Sequence, residues 1–150
     1  MSPLRMLVIS LMAHVVVAGV VPSPWWTPNL TLVGAILAIT HAPTRWFTFS
    51  GLAGLWMMVW AIRFPAPVLM SYLLLGWIAQ LLARHWDTTD LRVQCVMVGV
   101  GSLLTTLELL WLDDLWSLPL LGWVSVQVMV TALALPCTRY LRERLPKAIG

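Results

Sequence analysis

Nine cationic and six acidic side chains are all the charge that 150 residues carry, while hydrophobic types make up 60% of the chain and the mean hydropathy is +0.87. So little polar surface cannot cover a water-soluble core of this size, which excludes a soluble catalytic, nucleotide-binding or receptor module. Cysteine is scarce too. Cys95 and Cys137 fall at the expected cytoplasmic ends of two different helices with no metal-ligand spacing around them, so they read as free thiols. Also missing are a CxxC pair, a Ser/His/Asp set, paired carboxylates and a phosphate-cradling glycine loop, so neither an enzyme active site nor a cofactor or metal is expected. The net charge of +3 and the pI near 9.4 do not imply nucleic acid. The charges sit at the ends of apolar runs, where they act as topology signals and headgroup contacts, instead of forming an aromatic-interleaved patch.

Long apolar runs are what the chain has in quantity. A helix crossing the hydrocarbon core needs roughly twenty apolar residues, somewhat fewer against partners or in a thin bilayer. Six runs come close, predicting an all-α polytopic bundle that forms one membrane domain, with helices over about 6–21, 28–41, 46–62, 68–83, 91–112 and 118–136 and a basic tail over 137–150. Arg5 followed by the run from Met6 to Val21 is also signal-like, and retention as a first transmembrane helix is the expectation. Threading the six runs back and forth puts Arg5, Arg45, Arg84, Arg92, Arg139, Arg142, Arg144 and Lys147 on one side and Arg63 alone on the other. Cations are held back in the cytoplasm during insertion, so both termini should be cytoplasmic.

The punctuation between runs is proline-rich. Pro22-Ser23-Pro24 ends helix one and presents Trp25 and Trp26 to the outer interface. Thr27 is the expected cap of helix two, with Pro28 at its first position. Arg63 to Pro67 forms an outer loop before helix four, and Arg84 to Asp90 an inner loop. Helix six should kink at Pro136, after which Thr138 to Arg144 read as a basic interfacial turn or two.

Ionisable groups in a bilayer cost on the order of 3 kcal/mol each by insertion scales, so each is a candidate site. His14, near the middle of helix one, must hydrogen-bond inside the bundle or to a partner. Glu108, one turn below the outer end of helix five, could pair with Arg63, reach toward headgroups, carry a proton or meet a partner. Arg63 is the sole outer cation and Glu108, Asp113 and Asp114 are the outer acids, which predicts a clasp between the ends of helices three and five. Gln80 and Gln127 read as interhelical glue. Small residues mark close approach: Gly51 and Gly54 on helix three and Gly101 and Thr105 on helix five are candidate contacts for partner helices. Arg139, Arg142, Arg144 and Lys147 are candidate membrane-surface contacts.

The order of these features resembles the rod shape-determining protein MreD family of bacterial inner-membrane proteins. Pro28-Asn29-Leu30 matches that family's Pro followed by Asn or Asp and an apolar run at the start of helix two. Pro43-Thr44-Arg45 matches its Pro-x-Arg inner turn, and Gly51 to Met58 its glycine-rich start of helix three, although Met58 stands where the family is usually acidic. Pro136 through Lys147 matches its proline and basic tail. The resemblance implies a non-enzymatic scaffold that joins a periplasmic MreC-like protein to the elongation machinery of peptidoglycan, including a SEDS glycosyltransferase and a penicillin-binding transpeptidase. Two other readings fit a small six-helix protein. One is the substrate-binding S subunit of an energy-coupling-factor type vitamin transporter, for which Asn29, Arg63, Glu108 and Asp114 could line a closed, ligand-sized cavity under the outer loops. The other is an accessory subunit of another membrane complex.

Overall fold

The computed structural model describes residues 2–21, 23, 26–61, 63–88, 90–112 and 117–148, with the backbone alone of 118, 139 and 141–148. These residues form α1 (Pro3–Val20), α2 (Leu30–His41), a 3-10 turn (Pro43–Arg45), α3 (Trp46–Trp60), α4 (Pro65–His85), α5 (Leu91–Leu112) and α6 (Leu118–Ala148). Among the described residues, four helical stretches, Pro3–Val20, Pro65–His85, Leu91–Leu112 and Pro119–Thr138, are long and apolar enough to cross a membrane. Successive helices run antiparallel, so α1, α3 and α5 finish, and α2, α4 and α6 begin, at one end of the bundle, here the upper end.

Several boundaries differ from the sequence expectation, each for a local reason. α4 opens at Pro65, three residues earlier than expected, because prolines in a first turn give up N–H groups that have no helical partner there. It also continues through Arg84 and His85, which were expected in a loop. The cap of α2 is Asn29, whose Oδ1 accepts the Leu32 N–H at 3.0 Å. Thr27 lies two residues before that cap position, and its hydroxyl donates instead to the Ser23 carbonyl at 3.1 Å. Pro28 lies before the cap, and the Leu30 N–H reaches its carbonyl at 2.9 Å in an inverse γ-turn centred on Asn29 (φ −76°, ψ 76°). α6 does not end at Pro136 but runs through it to Ala148.

Three antiparallel hairpins, α1–α2, α3–α4 and α5–α6, surround α2, which touches every other helix. Nine of its twelve residues are buried, so this shortest helix is the axis of the molecule. α1 lies at the opposite extreme. Leu4, Val8, Ile9, Met12, Val16 and Val20 are all exposed along it, an inside-out pattern suited to lipid.

Helix contacts in lipid depend on close packing, because hydrocarbon outside is as apolar as leucine inside. Glycines supply that closeness at two unforeseen places. A Cβ on Gly34 would collide with the Ser10 side chain where α1 crosses α2, and one on Gly76 would lie 2.5 Å from Ser50 Cβ where α3 crosses α4.

Candidate functional site

The upper end of α2 is recessed. His14, six residues inside the end of α1, reaches Pro28, which puts that point about 9 Å below the rim at the helical rise. Tyr72, seven residues inside α4, meets Asn29, which gives about 10 Å. Twelve residues of α2 span only about 18 Å, against a hydrocarbon core of about 30 Å. Thr27–Asn29, just before α2, therefore lie below the rim inside the bundle in non-helical conformation, as a descending segment that leads into the helix.

Irregular backbone at that depth must find its hydrogen bonds within the protein. Polar side chains supply them. His14 Nδ1 lies 3.3 Å from the Pro28 carbonyl, and Gln127 Nε2 donates to the Thr27 carbonyl at 3.3 Å. The Asn29 N–H donates to Thr131 Oγ1 of α6 at 3.1 Å, while its side-chain amide donates to the Tyr72 hydroxyl of α4 at 3.0 Å. One descending segment thus ties α1, α2, α4 and α6 together.

Above it lies a cavity of about 810 Å³, open on one side. Its floor is the Thr27–Asn29 segment with Tyr72, and its walls come from α1 (His14, Ala18), the end of α3 (Met57, Trp60), Arg63, Phe64, α4 (Val68, Ser71) and α5 (Thr105, Thr106, Glu108, Leu109, Leu110), with Gln127 of α6. The wall is mostly apolar, and most of its polar groups already bond within the chain. The Ser71 hydroxyl donates to the Glu108 carboxylate, linking α4 to α5. Thr105 and Thr106 donate to carbonyls of Gly101 and Ser102 in their own helix, at 3.0 and 2.7 Å.

His14, Arg63 and Glu108 therefore stand around one space, as three of the sequence candidates. The Arg63 guanidinium lies 5.4 Å from the centre of the Phe64 ring. Asp113 and Asp114, the other acids of the expected clasp, lie outside the described residues. The same holds for the side chains of Arg139, Arg142, Arg144 and Lys147, whose backbone is the end of α6.

The small-residue candidates need a correction. Gly54 is covered by α4, where an added Cβ would meet Leu69 Cδ1 at 2.8 Å and Tyr72 Cβ at 3.1 Å. A Cβ added at Gly101 would meet Leu32 Cδ2 of α2 at 3.3 Å, and Thr105 is buried one turn further along α5. Gly54 and Gly101 receive helices of this same chain, so they are not surfaces for a partner, whereas Thr105 lies on the cavity wall. Gly51 differs, with only Leu73 Cδ2 at 4.0 Å.

Sequence reasoning missed Ser71, Tyr72 and Thr131. Tyr72 carried a usable signal, because a phenol in the middle of an apolar helix needs a partner for its hydroxyl. Among the described residues, no three His, Cys, Asp or Glu side chains are grouped to hold a metal. Comparison of the chain with protein-family models, with curated proteins and with solved structures finds no match.

Proposed function

We propose that this chain is a non-enzymatic membrane adaptor of the MreD kind, and that the recessed upper cavity seats an apolar segment of a membrane partner. The observation that carries this reading is the state of the cavity's polar groups. Asn29, Gln127, His14, Ser71, Thr105 and Thr106 each have a bond inside the chain, leaving a predominantly apolar, one-sided hollow. A polar metabolite is recognised by polar groups aimed at it from an enclosing wall. A polypeptide segment needs shape and apolar area, and its remainder can leave through the open side.

In this reading all six helices cross a bacterial inner membrane, the shortest of them completed by the descending segment, with both termini cytoplasmic and the cavity facing the periplasm. The occupant is part of an MreC-like single-pass protein, and the wider assembly holds the SEDS glycosyltransferase and penicillin-binding transpeptidase of sidewall synthesis. The positions that carry the resemblance have structural work that fits it. Pro28-Asn29-Leu30 builds the recessed start of α2, and Pro43–Arg45 the tight turn into α3.

One observation favours the S-subunit alternative: a volume of about 810 Å³ lies within the range of small-molecule sites, with Arg63 and Glu108 on the wall. Purification in mild detergent with a tagged MreC-like protein separates the two. The adaptor reading expects the two chains to elute together, and native mass spectrometry to find no stoichiometric metabolite. A chain that purifies alone with a retained small molecule contradicts it.

A further inference from the structure

α6 carries Pro136 in its interior, and a proline at that point has no N–H to give the carbonyl four residues earlier. In α6 that carbonyl belongs to Ala132. The sulfur of Cys95, on α5, lies 3.9 Å from the Ala132 oxygen in donor geometry. Cys95 is half-buried against the hydrophobic core, so its thiol faces α6 and not the outside. Membrane helices tolerate proline where a neighbour re-satisfies the released backbone group, and here the neighbour is a cysteine.

We propose that Cys95 is a positioning residue whose thiol replaces the hydrogen bond denied by Pro136, and so fixes the direction in which the last turns of α6 leave the bundle. The placement suits that task. Above the joint, Gln127 and Thr131 tie α6 to the Thr27–Asn29 segment. Below it, the apolar stretch ends at Thr138 and the stretch holding Arg139, Arg142, Arg144 and Lys147 begins. Thr138 Oγ1 donates to the Leu135 carbonyl at 2.8 Å, a brace within α6 itself. The Cys95 contact comes from another helix, so it can hold the lower part of α6 against the bundle. A thiol is a weak donor, which makes this a soft joint.

Amide hydrogen exchange on the full chain in lipid nanodiscs tests the proposal. Cys95→Ala should raise exchange several-fold across 133–148 while α2 stays at the parent rate. Cys95→Ser, which keeps a donor, should remain close to the parent. Pro136→Ala in the Cys95→Ala background should return the segment to the parent rate, because the restored N–H bonds Ala132 directly. Unchanged exchange in Cys95→Ala, equal acceleration in α2, or no rescue by the second substitution would overturn the proposal. A readout that needs no change at Cys95 is the S–H stretch in Cys137→Ala protein. A band shifted down from that of a free thiol supports the bond, and a band at the free-thiol position excludes it.

Discussion

Asn29 has three roles: its Oδ1 caps α2, its amide meets Tyr72, and its backbone N–H is held by Thr131. Losing a cap costs about 1 kcal/mol, and leaving a buried hydroxyl without its partner adds about 1–3 kcal/mol. Asn29→Ala should therefore lower the thermal midpoint in detergent clearly more than Asn29→Asp, which still caps the helix and accepts from the Tyr72 hydroxyl. Equal midpoints for the two would remove the keystone role. Gln127→Ala leaves the Thr27 carbonyl without its side-chain donor, at a cost of about 1–3 kcal/mol by the same principle, while His14→Ala removes one of two donors to the Pro28 carbonyl, which keeps the Leu30 N–H, and costs about 0.5–1.5 kcal/mol. Both should be seen as loss of folded protein in a thermal-shift assay. That His14 must find a partner was readable from its apolar surroundings. Its partner was not, because the Pro28 carbonyl comes within reach only when α2 starts below the rim, and nothing in a short apolar run states its depth.

Helix packing makes separate demands on α2, α3 and α4. Gly34→Ala and Gly76→Ala place a methyl group against Ser10 and Ser50, with an overpacking cost of about 1–3 kcal/mol each. Gly51→Ala meets only ordinary contact and gains up to about 1 kcal/mol of helix propensity, so its midpoint should hold or rise. Fluorescence-detected size-exclusion after a temperature series checks all three, and a fall for Gly51→Ala equal to the others would contradict this packing. The glycine spacing announced close approach without naming the approaching helix. Gly54 and Gly101 read as open faces in one dimension, yet Leu69, Tyr72 and Leu32 of the same chain fill them. Proline signals were clearer about where helices change than about which side of the boundary they occupy. Pro65 begins a helix that was expected three residues later, and Pro136, expected as a kink before a further turn or two, sits inside a helix that runs on to Ala148.

At the scale of the molecule, the number and order of helices were legible because apolar runs alternate with Pro- and Arg-bearing breaks. The cavity was foreshadowed only as Asn29, Arg63 and Glu108 near one end, since the space depends on how far α2 is recessed among α1, α4 and α6. The proposed orientation predicts opposite exposure for two positions. In protein freed of native cysteine, Arg63→Cys should react with an impermeant maleimide in cells whose outer membrane alone is opened, and Lys147→Cys only after the inner membrane is breached. Labelling of both from one side would contradict the three crossings placed between them. The central claim is that the hollow above Asn29 holds a segment of a membrane partner. It is tested most directly by a photoreactive side chain at Met57 or Leu109 on the cavity wall, with Met12 on exposed α1 as reference. Irradiation of intact cells should link both wall positions, and not Met12, to the MreC-like protein. Wall positions that capture no protein while a small molecule stays bound would contradict it.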